Sequence, residues 1–209
     1  MFIFKYYKIK KSNLNSNKIV MSSEDKKEES PKSNNPEEKA INVSLIHKIN
    51  LTLELVIDEN KNSSNYEDML IKQKNMSFTS KAPPSIKLEK YIERILYYTE
   101  AEESTFIIAL IYIDRISKIS NVILTPYNVH KFIFVSVLIA IKYNEDIIYK
   151  LDYYSLISGI SINELKQLEI DFVILLKFKL YINKLEYNNY KLLIDSADVD
   201  DIDNIDDED

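Results

Sequence analysis

The sequence predicts an all-α protein, a single five-helix domain preceded by one further helix and flanked by tails that do not fold. Three observations predict it. Two stretches, Phe106–Ile113 and Phe132–Ile141, are apolar on every side, which demands burial all round. The segments around them carry apolar residues at three- and four-residue spacing, the signature of amphipathic helices. Helix start and stop signals punctuate this region at short intervals, which favours neighbouring helices joined by short loops.

Residues 1–39 read as a disordered N-terminal tail. MFIFKYYKIKK opens it with a superficial likeness to a targeting segment, but Lys5 interrupts the apolar run and no small-residue cleavage site follows. SSEDKKEESPKSNNPEEK then holds almost nothing apolar and cannot bury enough surface to offset chain entropy. From Ala40 to Asp58, Ile41, Val43, Leu45, Ile46, Ile49, Leu51, Leu53, Leu55, Val56 and Ile57 give a helix-compatible apolar face with some alternation mixed in, predicting an N-terminal helix over 40–58. ENKNSSNYED breaks it, residues 59–77 read as a polar loop, and a second polar stretch runs to the KAPPS segment, Lys81–Ser85.

The main domain spans 78–191. Its first helix starts near Ser85 and carries Leu88, Tyr91, Ile92, Ile95, Leu96 and Tyr98. Ser104 stands as an N-cap before Phe106–Ile113, which makes the second helix central. Thr125 followed by Pro126 is a cap with proline at the first helical position, opening a third helix that runs to Lys142 beside the second. A short helix over Tyr149–Ile157 ends at Gly159, suited to a left-handed stop. Ser161-Ile162-Asn163-Glu164 is a capping box that starts the fifth helix, continued by Leu165, Leu168, Phe172, Leu175 and Leu176. Residues 192–209 form an acidic disordered tail.

Composition excludes several classes of function. The chain has one glycine among 209 residues where ordinary usage gives roughly fifteen, so phosphate-cradling loops and nucleophile elbows lack their backbone. No cysteine and only His47 and His130, far apart, leave no metal-ligand spacing. No cofactor, metal site or catalytic residue is expected, and the reading is of a non-enzyme. The run Asp195–Asp209 holds nine acidic residues and no basic one; in the remainder 27 basic residues face 24 acidic ones. That near-neutral body is not the basic surface a nucleic-acid binder needs, and self-repulsion favours a solvated acidic run. The longest apolar run is too short to span a bilayer, so no membrane association is expected.

Charges embedded in the apolar helices are more informative. Arg94, Asp114, Arg115, Lys142 and Glu169 each need pairing, an escape to solvent or a partner protein, because burying a lone ion costs several kcal/mol. A tie between Arg94 and Asp114 across the first two helices is the expectation. Lys142, ending a long apolar helix, suits the negative end of its dipole.

YIERILYY (91–98), YIDRI (112–116), LTPYNVHKFIFVSVLIAIKYNED (124–146) and YKLDYYSLISGISINELKQLEIDFVILLKFKLYI (149–182) together resemble the cyclin box. The likeness is greatest to P-type, phosphate-pathway cyclins, with a PP pair before the first helix, YIDR, an NVHR-like NVHK and GIS-x-x-EL-x-x-LE-x-x-F. Departures are Lys131 for Arg, Glu145-Asp146 for Asp-Asp and one glycine where a pair is common. The resemblance implies a single cyclin box and a non-catalytic regulatory subunit that binds and activates a cyclin-dependent serine/threonine kinase as a heterodimer. By motif position Lys142 and Glu169 are its kinase-binding residues, Arg94 and Asp114 its structural ion pair, and Glu145 and Asp146 secondary kinase contacts or a solvated loop. It places the protein in the nucleus or cytoplasm. A cyclin-box scaffold, or a transcription-related adaptor that activates no kinase, is the alternative; the two boxes and zinc ribbon of the transcription-factor-IIB type have no counterpart here.

Overall fold

A computed structural model describes residues 43–195, which form eight helices and no strand among the described residues. In chain order they are α1 (Val43–Lys61), α2 (Tyr66–Gln73), α3 (Leu88–Thr99), α4 (Glu103–Ser120), α5 (Val129–Asn144), α6 (Leu151–Ser158), α7 (Ile162–Leu175) and α8 (Lys184–Asp195). Helices α3–α7 are the five expected from the sequence and α1 is the helix expected before them. The expected tails, 1–39 and most of 192–209, lie outside the described residues.

Helices α4 and α5 pack on each other at the centre, as all-round apolarity requires. From Phe132 to Ile141 every α5 side chain is buried, and α4 buries ten residues between Thr105 and Ile116. Ordinary amphipathic helices surround them. α1 turns Leu45, Ile46, Ile49, Leu53, Val56 and Ile57 inward and lies against α3, which buries Leu88, Tyr91, Ile92 and Ile95. Before α3, Phe78 stacks on Phe132 with ring centres 4.2 Å apart, and both lie near Phe172 of α7. That aromatic cluster fastens the connecting segment and α7 to α5, each ring adding contact beyond its buried area.

Several boundaries differ from the sequence-based expectation for identifiable reasons. α3 begins at Leu88, not near Ser85, because two prolines precede Ser85 and hold the chain extended. Ser104 lies inside the first turn of α4; Glu102 is at the cap position and caps nothing with its own side chain. Thr125 and Pro126 belong to a turn. The amides of Asn128 and Val129 donate to the Thr125 carbonyl and the Asn128 side chain accepts from the Thr125 amide, so α5 starts at Val129. The Ser161 capping box is present, Ser161 Oγ accepting from the Glu164 amide at 3.3 Å. Gly159 stops α6 at φ +70°.

Two helices were not anticipated. α2 lies within the expected polar loop, with only Met69 and Gln73 buried. Gln73 holds both the amide and the carbonyl of Ile123, so a polar side chain seats this helix on the α4–α5 connection. α8 follows the five-helix unit and buries Tyr190 and Ile194. Its signal in the sequence was Asn183 three residues before Glu186, and the Asn183 side chain does accept from the Glu186 amide at 2.9 Å.

Candidate functional site

Lys142 lies in the last turn of α5 and Glu169 in the middle of α7, and the packing of these helices brings the two side chains into an ion pair. Neither is lost to the interior: the Lys142 side chain is 35% exposed and that of Glu169 15%. The cation beside α5's terminal carbonyls also complements the helix dipole.

The setting of this pair is apolar and open to solvent. Tyr143 follows Lys142, and Ile170 follows Glu169 with Ile174 one turn further along the same face of α7. Phe178, just past the helix, is 73% exposed, and the α5–α6 connection presents Ile147, Ile148 and Tyr149. α7 thus has two apolar faces. Leu165, Leu168 and Phe172 fill the core, while Ile170 and Ile174 fall off that stripe, an excess of apolar residues that could have been read from the sequence.

The end of α7 is built to present Phe178. The amides of Lys177 and Phe178 donate to the carbonyls of Ile174 and Val173, the bonding of a Schellman stop, but Lys177 stands where glycine is usual. Both residues are left-handed, with φ +50° and +59°, a conformation that costs side-chain-bearing residues about 1–2 kcal/mol each. Arg115 of α4 holds the following segment by donating to the Lys179 carbonyl at 2.5 Å and pairing with Glu186 at 2.7 Å. Tyr112 donates to the Leu180 carbonyl at 3.0 Å, and burial pushes its phenol up to about 12.

Glu145, expected at a kinase contact or in a solvated loop, is engaged inside the molecule. Its carboxylate accepts from Thr105 Oγ1 at 2.5 Å and from the Glu102 amide at 3.3 Å, filling the cap position that Ser104 does not. An anion at this end of α4 is favoured by the helix dipole. Asp146 is exposed beside it.

The expected tie between Arg94 and Asp114 is corrected, since each has other partners. Arg94 is on the exposed side of α3 and donates to the Leu156 carbonyl of α6 at 2.8 Å. Tyr91 bonds the Ser158 carbonyl at 3.1 Å, so α3 supplies donors to the end of α6. Asp114 faces the opposite way, toward α8. Its buried carboxylate accepts from the Tyr190 hydroxyl and pairs with Lys118 at 2.7 Å. The reason is α8, the helix the sequence reading left out, which covers Asp114 and brings its own donor. Burial first, then the Asp114 carboxylate, hold the Tyr190 phenol far above its usual range.

Near the start of α5, His130 Nε2 donates to the Ile86 carbonyl at 3.0 Å, its ring lies 5.1 Å from that of Tyr91, and Nδ1 is buried without a partner. Burial holds its pKa below the usual histidine value. Lys131 joins the Ser77 carbonyl to Glu164, tying the approach to α3 onto α7. Among the described residues no three acidic or histidine side chains come together as a metal site, and no described helix is long and apolar enough to cross a membrane.

Five helices in this order, two of them buried on all sides, with a charged pair on an open apolar face, define an all-helical domain of the cyclin-box type. The cyclin family model matches residues 9–180, and the chain belongs to the cyclin family. It is 36% identical to Cyclin-U4-3 of Arabidopsis thaliana over 148 residues, 70% of this chain and 65% of that protein. It is 30% identical to Cyclin-P3-1 of Oryza sativa subsp. japonica over 150 residues, 71% and 64% of the two chains. Cyclin-U2-1 of Arabidopsis thaliana is 34% identical over 118 residues, 56% of this chain and 53% of the relative. The chain therefore spans between about half and two thirds of the length of these relatives.

Proposed function

We propose that this cyclin is a non-catalytic regulatory subunit that binds a cyclin-dependent serine/threonine kinase as a heterodimer and activates it, in the nucleus or cytoplasm. The observation that carries the reading is the Lys142–Glu169 pair set among exposed Tyr143, Ile170, Ile174 and Phe178. Large apolar side chains left in water around a fixed pair of opposite charges are the composition of a protein-binding centre: anchors supply area and charges fix register. In the free protein the two charges satisfy one another, so both side chains are held in place before the partner arrives and less rotamer freedom is lost on binding.

On docking, Lys142 donates to and Glu169 accepts from backbone groups beside the kinase C-helix, and the apolar residues pack against that helix. Binding that favours the inward C-helix completes the kinase's own Lys–Glu pair, so activation is a shift in population and the chemistry stays on the kinase. The test is to mix the full chain with each cyclin-dependent kinase of its source organism and measure complex formation and phosphorylation of a histone substrate. Complex and activity are expected with at least one kinase, and both are expected to be lost in Lys142→Glu and Glu169→Lys while helicity is kept. A folded chain that binds none of the kinases would replace this reading with that of a scaffold, and variants that bind as the parent does would remove Lys142 and Glu169 from the interface.

A further inference from the structure

A second open feature lies away from the Lys142–Glu169 face. α2, the segment Thr79–Lys81 and the turn before α5 enclose a cavity of about 510 Å³, within the range of sites that take a ligand or peptide side chains. Its walls include Leu70, Ile71 and Tyr127, with Ile71 72% exposed. The charged residues that line it are Lys74 and Lys81, and neither has an ion-pair partner among the described residues. They belong to a wider asymmetry. From Met69 to Lys87 the chain carries Lys72, Lys74, Lys81 and Lys87 and no acidic residue, in a protein whose net charge is −6.

We propose that this groove receives the acidic C-terminal segment of the same chain, residues 196–209. Three features fit the two together. The segment DSADVDDIDNIDDED places Val199, Ile202 and Ile205 three residues apart among carboxylates, the chemistry an apolar groove edged by lysines takes. The departure point and length agree. The Asp195 carbonyl meets Lys48 near the start of α1, and Lys191 meets Glu103 at the start of α4, so the chain leaves at one end of α4 while the groove lies beyond the other. The eighteen residues of α4 make that distance about 27 Å, and the ten residues from Asp195 to Ile205 reach about 33 Å when extended. Attachment also gives the segment a high local concentration, so weak contacts suffice. Self-repulsion, the basis for expecting a solvated tail, is relieved where the lysines meet it.

This inference is independent of kinase binding. It is tested on the full chain with Ile71 replaced by a photo-crosslinking benzoylphenylalanine, a position whose exposure leaves the fold undisturbed. Irradiation is expected to crosslink within single molecules to peptides from 196–209, at a yield that does not change with protein concentration. Lys74→Glu with Lys81→Glu, or Ile202→Asp with Ile205→Asp, is expected to lower the yield about fivefold, as is about 1 M NaCl. Crosslinks confined to other segments, or a yield indifferent to both pairs of substitutions, would overturn the proposal. A yield that climbs with concentration would also overturn it, and would assign the groove to a second copy.

Discussion

The buried Asp114 makes the most exacting test of the packing described above. Its side chain has no exposure, and the Tyr190 hydroxyl and the Lys118 ammonium act on the same oxygen. Tyr190→Phe removes one donor and leaves the ring, so the packing term is close to zero and the loss is that of a hydrogen bond to a buried charge, about 1.5–3 kcal/mol. Lys118 is 38% exposed and keeps part of its hydration, so it does not make good the loss. For a domain of this size each kcal/mol moves the melting temperature by about 2–4 °C, giving an expected fall of about 3–12 °C. Thermal and urea unfolding of the full chain followed by circular dichroism measures it. The double variant with Asp114→Asn provides the cycle: against a neutral acceptor the missing hydroxyl costs less, and a coupling of about 1 kcal/mol or more is expected. A Tyr190→Phe loss below about 0.5 kcal/mol, or no coupling, would refute the view that α8 is held by this charge.

Other expectations follow from single residues. Lys177→Gly relieves a left-handed position at φ +50° and is expected to stabilise the domain by about 0.5–1 kcal/mol, read from the urea midpoint. Gly159→Ala has open space for its methyl group but must adopt φ +70°, so a loss of about 1 kcal/mol is expected, with Gly159→Asn losing less. Glu145→Ala removes the carboxylate that caps α4 and is expected to cost about 1 kcal/mol, with faster amide exchange at Glu102. His130 has a lowered pKa in the fold, so the unfolded chain binds the proton more readily. Its contribution to stability is complete above the unfolded value of about 6.5 and is lost as pH falls below it. Comparing the pH dependence of unfolding in the parent and His130→Gln checks this, and equal slopes would count against it.

The central pair of helices was legible because α4 and α5 are apolar beyond any single face, and burial is the one outcome open to such segments. Gly159 and the Ser161 box were legible because each carries a local mechanism that needs no tertiary context. Lys142 and Glu169 could be placed at one face only through their motif positions, 27 residues apart in sequence. What escaped was polar and nonlocal. α2 is seated by the Gln73 side chain on the backbone of a loop 50 residues away, which leaves no apolar periodicity to read. At α4 a distant side chain takes over from the local one, Glu145 for Ser104, whereas α5 starts late because Thr125 and Asn128 close a local turn. Arg94 and Asp114 do not pair because Asp114 is engaged by Lys118 on its own helix and by a donor 76 residues along the chain, on a helix hidden by its polar composition.

The contact between α1 and α8 also bears on how the protein is made. Domains fold largely as units during synthesis, from the N-terminus onward. Here Lys48 waits for Asp195 and Asp114, already paired with Lys118, waits for Tyr190, so a chain still short of residue 190 emerges from the ribosome with the face of α4 that α8 covers left open. The docking of Tyr190 and Ile194 is thus left to the end of synthesis.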